Sequence, residues 1–173
     1  MLFATKTFSQ NRLAPKAGSA ISSLETTING ANITGNAGFV IGTDWRMEQG
    51  RAIFIQPGLF FQNINLDVNE ASSSRITSLK LPATLGWYVS GRERLWVVNL
   101  RGGIVPEWIS GVKEAESFNK DAINDFQWSG RVGLGVDIAL LTVDVAYDFG
   151  LSNFSDFNED KQQVTTITLG LIF

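Results

Sequence analysis

The sequence predicts an all-β fold, an eight-stranded antiparallel up-and-down β-barrel that spans a membrane. Apolar and polar residues alternate with a period of two along eight segments of the chain, which is the pattern of strands with two different faces. Short turns and long polar loops alternate between these segments, as they do in membrane barrels. The apolar face also carries more large side chains than the inside of a small barrel can hold. Together these observations place the apolar face outward, against lipid.

The segment FQWSGRVGLGVDIALLTVDVAYDFG shows the alternation most clearly. From Phe126 onward every second residue is apolar or aromatic apart from one glycine, until the parity changes between Leu140 and Leu141. After that change the odd positions are the apolar ones, so the segment is predicted to be two long strands joined by a tight turn. Its Gly-x-Gly lies inside the first strand and opens no helix, which argues against a phosphate-binding glycine loop.

Six further segments alternate in the same way, although the first is the faintest and the third is less regular. The eight predicted strands cover residues 12–22, 34–47, 51–67, 75–90, 95–108, 126–140, 141–151 and 162–173. Short turns are predicted at 47–50, 90–94 and 139–141, and long loops at 23–33, 68–74, 109–125 and 152–161. Both chain ends then lie on the side of the short turns, as an even number of strands requires.

The chain is predicted to be a single β-barrel domain over residues 10–173. Residues 1–9 are interpreted as a possible remnant of a signal peptide or a disordered N-terminus, because Thr7, Phe8 and Ser9 resemble the small-x-small end of such a peptide. No stretch approaches the roughly 20 apolar residues of a membrane helix.

Periodicity alone leaves open which face of the barrel is apolar. A soluble, lipocalin-like barrel that carries an apolar ligand also has about eight alternating strands, with the apolar face inside. Here the apolar face carries all five tryptophans, and the other face is rich in glycine. An eight-stranded barrel is just wide enough for side chains to fill it, so volume favours the membrane barrel, with glycines making room for charged side chains inside.

The inward face is predicted to hold a network of charged side chains in the barrel lumen. Isolated charges removed from water are strongly unfavourable, so these groups are expected to pair and to fill the lumen. The alternative functions are a narrow polar conduit or a small-ligand site. Besides Arg12 and Lys16, the predicted network consists of Asp44, Arg46, Lys80, Arg101, Glu107, Arg131, Asp137, Asp144 and Asp148.

Aromatic residues are predicted to form two belts on the outer face, one at each membrane interface, where amphipathic rings accumulate. The alternative is that aromatic residues simply favour strands. One belt falls at the short-turn ends of the strands and the other toward the long-loop ends. The predicted interface residues are Trp45, Trp87, Trp96, Trp108, Phe126, Trp128, Tyr147 and Phe149.

Four motifs resemble the PorT-like outer-membrane β-barrel family of Bacteroidetes-type bacteria: LKLPATLGWYV, IFIQPGLFFQ, GRVGLGVDIALLTVDVAYDFGLSNF and the terminal TTITLGLIF. The resemblance implies a bacterial outer membrane, contact with its lipids and a secretion-accessory role. Family members usually carry an acidic residue two positions before the strand proline, where this chain has Lys80 before Pro82. The C-terminal Phe173 resembles the signal that the barrel-assembly machinery reads during biogenesis.

The composition argues against an enzyme. The chain has no His and no Cys, the residues that most often supply a general base, a nucleophilic thiolate or a metal ligand. The Ser78–Lys80 pair and the carboxylates Asp137 and Asp144 are not favoured as catalytic groups. We therefore expect no cofactor and no metal site, and the net charge of −3 argues against nucleic acid.

The function is expected to be structural, binding or secretion-accessory. The long loops 109–125 and 152–161 are the predicted contact sites for an unknown partner, because each carries phenylalanine among polar residues.

Overall fold

The computed structural model describes residues 11–23, 25–28, 31–50, 52–68, 72–89, 95–113, 126–151 and 163–173. No helix in this part of the chain is long and apolar enough to cross a membrane. The strands are β1 (Asn11–Ser22), β2 (Glu25–Ile28), β3 (Ala31–Gln49), β4 (Ile53–Val68), β5 (Ser72–Lys80), β6 (Ala83–Tyr88), β7 (Trp96–Lys113), β8 (Phe126–Ile138), β9 (Leu141–Gly150) and β10 (Gln163–Leu171). The predicted signal remnant 1–9, residues 114–125 and the predicted loop 152–161 lie outside the described residues.

These ten segments form the eight strands of one closed barrel. β1 and β2 both pair with β3, so together they form one interrupted strand. β5 and β6 both pair with β4 and β7, so they form a second interrupted strand. Neighbouring strands are antiparallel, and β10 closes the ring on β1 from Lys16↔Gly170 to Ser22↔Val164. The predicted eight-stranded antiparallel barrel is confirmed. Closure gives each strand two hydrogen-bonded neighbours, which the interior of a bilayer requires.

The interruption between β5 and β6 lies at Leu81 and Pro82, inside the predicted continuous strand 75–90. A proline has no N–H to donate to the neighbouring strand. Two backbone hydrogen bonds join this interruption to the neighbouring strands. The Gly58 N–H on β4 donates to the Pro82 carbonyl at 2.8 Å, and the Leu81 N–H donates to the Pro106 carbonyl on β7 at 2.9 Å. The strands therefore stay joined on both sides of the interruption.

Strand ends on the side of the long loops extend beyond their predicted limits. The predicted loop 23–33 is wrong, because β2 and the start of β3 occupy most of it and pair as far as Ile28↔Ala31. The predicted loop 109–125 begins too early, because β7 continues to Lys113. These ends are largely polar, so the alternation that marks the membrane-crossing part of each strand gives no signal there.

The short-turn side of the barrel contains tight connections. Ile138 pairs with Leu141, so β8 and β9 are joined by a two-residue turn at Ala139 and Leu140. Ala139 has a φ of 54°, a left-handed conformation that is unfavourable for a residue with a Cβ atom. β3 ends at Gln49, and the turn that follows begins at Gly50 with a φ of 80°. The predicted turn 47–50 therefore starts too early.

The apolar face of the barrel points outward. The five tryptophans are between 42% and 61% exposed, and the leucines, isoleucines and valines between them on the same faces are exposed as well. The inward faces carry buried Lys, Arg, Asp, Glu, Gln and Thr side chains. A lipocalin-like carrier would have the opposite arrangement, so that alternative is wrong.

The strained turn provides a test of the hairpin. Ala139→Gly is expected to stabilise the barrel by about 1 kcal/mol, because glycine adopts a left-handed φ without steric cost. The measurement is the urea midpoint of unfolding in detergent micelles. Leu140→Gly is the matched control, and it should leave stability unchanged or lower it. Equal effects of the two substitutions would show that the Ala139 backbone is not strained.

Candidate functional site in the lumen and on the barrel wall

The strand pleat brings the predicted lumen residues together inside the barrel. Side chains two positions apart lie on one face of a strand, so β3, β7, β8 and β9 each direct charged residues inward. All nine predicted residues face the lumen, together with Arg12 and Lys16. They form three clusters along the barrel, which we name by their position: the loop-side cluster, the middle cluster and the turn-side cluster.

The loop-side cluster consists of Lys80, Glu107, Arg131 and Asp148. Arg131 binds Asp148 with two parallel hydrogen bonds, from Nε to Oδ1 at 2.6 Å and from Nη2 to Oδ2 at 2.8 Å. Lys80 Nζ lies 3.1 Å from Asp148 Oδ2 and 3.4 Å from Glu107 Oε2, and its side chain is 1% exposed. The two-point Arg–carboxylate contact fixes the position of both groups.

The middle cluster consists of Lys16, Asp44, Arg101 and Asp144. Lys16 forms ion pairs with both Asp44 and Asp144, and Arg101 forms a second ion pair with Asp144. Gln56 Nε2 donates to Asp44 Oδ2 at 2.6 Å. The cluster thus ties β1, β3, β7 and β9 together across the lumen, between residues far apart in the sequence.

The turn-side cluster consists of Arg12, Arg46, Glu48 and Asp137. Arg46 Nη1 lies 2.5 Å from Asp137 Oδ2, and Arg46 Nε donates to Gln56 Oε1 at 3.2 Å. Gln56 therefore connects this cluster to the middle one. Arg12 Nε lies 3.7 Å from Glu48 Oε1.

Two aromatic rings complete the turn-side end of the lumen. The Arg46 guanidinium lies over the Phe54 ring, 4.7 Å from its centre, and the Phe54 and Tyr88 rings are 4.8 Å apart. Tyr88 donates a hydrogen bond to Glu48 at 3.1 Å. Gly86 lies against the same ring, since a Cβ atom there would be 2.0 Å from Phe54 Cζ. We call Arg46, Glu48, Phe54 and Tyr88 the turn-side plug.

The charges of the three clusters balance. Each cluster contains two cations and two carboxylates, so six positive groups meet six negative ones in the described lumen. Charges held away from water are tolerated when they are paired and hydrogen-bonded. The strands that carry these charges, β1, β3, β5, β7, β8 and β9, therefore have a preferred register, because a slip of one residue would turn the charges toward lipid.

Sequence reasoning missed several members of this network. Glu48 lies two positions after Arg46 on the same face of β3, but the predicted strand ended at residue 47. Tyr88 continues the inward parity of Gly86, and Phe54 continues that of Gln56. Parity was the available signal for all three. An apolar ring inside a polar lumen breaks the simple division into two faces.

A small cavity separates the middle and loop-side clusters. Its volume is about 40 Å³, and Lys16, Lys80, Arg101 and Arg131 are among the residues that line it. Sites for organic ligands are usually about 300–1,000 Å³, so this cavity has room for a few water molecules only. Among the described residues no group of three or more His, Cys, Asp or Glu is arranged to hold a metal ion.

The predicted interface aromatics all lie exposed on the outer wall. Phe61, Trp108 and Phe126 occupy one hydrogen-bonded row across β4, β5, β7 and β8, on the long-loop side. Phe126 and Trp128 pack edge to face at 5.4 Å, and Tyr147 and Phe149 lie 6.5 Å apart. The rings of the other belt, on Trp45, Trp87 and Trp96, are exposed at the short-turn ends of their strands.

The distance between the two belts matches a bilayer. Trp96 and Trp108 lie on the same face of β7, twelve positions apart. At a rise of about 3.3 Å per residue and a strand tilt of about 40°, this spacing corresponds to about 30 Å along the membrane normal. The hydrocarbon core of a bilayer has about that thickness. Leu100 and Ile104, between the two tryptophans, are exposed aliphatic residues.

The C-terminal Phe173 lies at the seam where the barrel closes. The Phe173 N–H donates to the Leu13 carbonyl at 2.9 Å, and the Leu13 N–H donates to the Phe173 carbonyl at 3.1 Å. The Phe173 side chain is 68% exposed on the outer surface.

The model of one protein family, described as outer membrane protein beta-barrel domain, matches residues 6–156. This match covers most of the chain and includes all strands except the last. A search of curated proteins gave no match to the chain.

Several solved structures share the architecture. OprG from Pseudomonas aeruginosa is 14% identical, with a TM-score of 0.62 over 95% of this chain and 97% of that one. Neisserial surface protein A is 13% identical, with a TM-score of 0.57 over 94% and 97%. The outer membrane enzyme PagL is 12% identical, with a TM-score of 0.55 over 91% and 97%. At these identities the similarity establishes the fold.

The loop-side cluster generates a prediction about stability. Asp148→Asn is expected to destabilise the barrel by about 3–5 kcal/mol, because it removes the carboxylate that pairs with the fully buried Lys80 and the largely buried Arg131. Adding Arg131→Met to Asp148→Asn should restore part of the loss. The measurement is the urea midpoint of unfolding in micelles for each variant and the double variant.

The matched control for this experiment is Thr142→Val. Thr142 is also fully buried in the lumen, and its hydroxyl has no hydrogen-bond partner in the described part of the chain. The substitution keeps the shape of the side chain and should change stability little. If Asp148→Asn behaves like Thr142→Val, the ion pairs do not hold the barrel together.

Proposed function

Because the chain belongs to the outer membrane protein beta-barrel domain family, we propose that it is a non-enzymatic protein of the bacterial outer membrane whose lumen is sealed and whose function is exerted at its surface. The outer-membrane barrel itself follows from the family and the fold. The proposal adds that nothing passes through the barrel. Its role is then to present loops and a lipid-facing wall to other molecules.

The turn-side plug is the observation that carries this proposal. Arg46, Glu48, Phe54 and Tyr88 are 0–7% exposed and contact one another inside the lumen, on the neighbouring strands β3, β4 and β6. The middle and loop-side clusters follow behind them, each held by ion pairs from several strands. Interiors of eight-stranded barrels are narrow enough for side chains to fill, and this packing supports a lumen without a channel.

The absence of an enzymatic activity is part of the proposal, since the fold also occurs in the outer membrane enzyme PagL. The chain has no His and no Cys to act as a base or a thiolate nucleophile. Ser78 and Lys80, two positions apart on β5, are both buried in the lumen, and Lys80 is held by Glu107 and Asp148. A lysine occupied in this way is a poor general base.

The more specific assignments also belong to the proposal. Membership of the PorT-like group, and with it a secretion-accessory role, rests on the four sequence motifs. The proposed contact sites for a partner are the loops 109–125 and 152–161, and Phe173 is proposed as the assembly signal. An exposed phenylalanine at the final strand supports the last of these.

Planar-bilayer recording tests the sealed lumen. The purified chain is expected to give no steady conductance, because the turn-side plug and the ion-paired clusters leave no continuous path. The double variant Phe54→Ala, Tyr88→Ala removes two rings of the plug and should raise the conductance. Val132→Ala, which shortens an exposed side chain on the outer wall, is the control. A steady open channel in the unmodified chain would contradict the proposal.

The same variants separate a surface function from a conduit in cells. A strain that lacks the gene is complemented with the unmodified chain, with the double plug variant, or with a chain in which residues 114–122 and 153–160 are replaced by short Gly-Ser linkers. A surface function predicts that only the loop replacement fails to complement, with all three barrels folded. Failure of the plug variant alone would favour the conduit.

A further inference from the structure

The small cavity between the middle and loop-side clusters is lined by more cations than carboxylates. Four of the six lumen cations line it: Lys16, Lys80, Arg101 and Arg131. Only two of the six lumen carboxylates do so, Asp44 and Asp144. The loop-side carboxylates, Glu107 and Asp148, are not part of the lining. The loop-side cluster is neutral as a whole, but it therefore turns only its cations toward the cavity.

The cations of the lining have more N–H donors than their ion pairs use. Lys80 has three donors for Asp148 and Glu107, whose nearest oxygens lie 3.1 and 3.4 Å from its Nζ. Arg131 has five donors and directs two of them at Asp148. Arg101 Nε is buried and has no hydrogen-bond partner in the described part of the chain. The lining thus offers donors that the lumen carboxylates leave unused.

Gln62 on β4 lines the same cavity with an unpaired amide. Its side chain is 1% exposed, and within the described residues neither Nε2 nor Oε1 has a hydrogen-bond partner. Thr166 on β10 also belongs to the lining, and its buried hydroxyl is equally without a partner there. Buried polar groups are nearly always hydrogen-bonded, to the protein or to something that it holds. Unpaired groups around one cavity therefore indicate an occupant.

The volume of the cavity limits the occupant to a small species. The cavity measures about 40 Å³, and one water molecule needs about 10–15 Å³ of such space. A monatomic anion is only slightly larger than a water molecule. One such ion therefore fits in the cavity, with room for water beside it.

The hydrogen-bonding character of the lining favours an anion over water alone. A water molecule that accepts from these donors must direct its own two hydrogens at other acceptors. The carboxylates of the lining, Asp44 and Asp144, are already engaged by Lys16 and by other side chains of the middle cluster. A halide ion only accepts hydrogen bonds, and a water beside it can satisfy Gln62 Oε1.

We propose that this cavity binds one chloride ion, held by Lys80, Arg131 and the Gln62 Nε2 donor. Arg101 Nε and the Thr166 hydroxyl supply further donors from the same lining. A buried charge is tolerated when it is paired and hydrogen-bonded, and the ion meets both conditions here. It balances the cationic side of the loop-side cluster and joins that cluster to the middle one.

Anomalous diffraction tests the site directly. The full chain is refolded and crystallised in sodium bromide, because bromide replaces chloride and scatters anomalously at its absorption edge. One anomalous peak is expected in the cavity, within hydrogen-bond distance of Lys80 or Arg131 and of Gln62. A cavity that holds only water, with no anomalous peak, would overturn the proposal. This experiment needs no variant, so it does not depend on the folding of one.

Unfolding in detergent micelles tests the same ion in solution. The full chain is refolded at one fixed ionic strength, with chloride progressively replacing gluconate, so that general screening stays constant. The urea midpoint is expected to rise with chloride concentration and then to level off, because a ligand that binds only the folded state stabilises it. A midpoint that is the same in both salts would refute chloride binding.

Substitutions of Gln62 assign the effect to the cavity. Gln62→Leu should raise the chloride concentration for half of the effect by about tenfold, since a hydrogen bond to a charged group is lost. Gln62→Glu should abolish the chloride dependence, because its carboxylate takes the place of the ion.

Gln127→Leu is the matched control for these substitutions. Gln127 is also buried in the lumen, and its Nε2 has no partner among the described residues, but it does not line the cavity. It should keep the chloride dependence of the unmodified chain. If both Gln62 variants also keep that dependence, the ion is not bound in this cavity and the proposal fails.

Discussion

The constraint on which this structure depends is that a bilayer offers no hydrogen bonds to the protein backbone. Each strand must find its partners in other strands, so the sheet closes on itself. Eight strands enclose a lumen only as wide as the side chains that fill it. Charges that face inward are then held out of bulk water, and the chain meets this condition with three neutral clusters of two cations and two carboxylates each.

The location of function follows from the same constraint. A lumen crossed by ion pairs such as Lys80–Asp148 and Arg46–Asp137 leaves little space for a ligand. The proposed function therefore assigns contacts with other molecules to the loops and to the outer wall.

The alternation of apolar and polar residues made the closed barrel predictable, with its apolar face outward. It also made most of the lumen predictable, since side chains such as Arg101 and Asp144 follow the strand parity. Prediction failed where the physical reason for alternation disappears. β2 and the end of β7 lie beyond the lipid, where neither face is constrained to be apolar. Phe54 and Tyr88 were missed because an aromatic ring fits inside the lumen when a guanidinium stacks on it. Pairing partners across the barrel depend on the stagger of the strands, which no local pattern reveals.

The measurement that tests the account most directly is tryptophan fluorescence after refolding into vesicles whose lipids carry bromine on the acyl chain. Bromine quenches only nearby rings, and its position along the chain can be varied. Strong quenching is expected, greater with bromines near the headgroup than near the chain end, because the five tryptophans lie exposed in two belts. Emission that ignores the bromines, from a protein that stays monomeric in plain buffer, would show that the apolar face is not in contact with lipid.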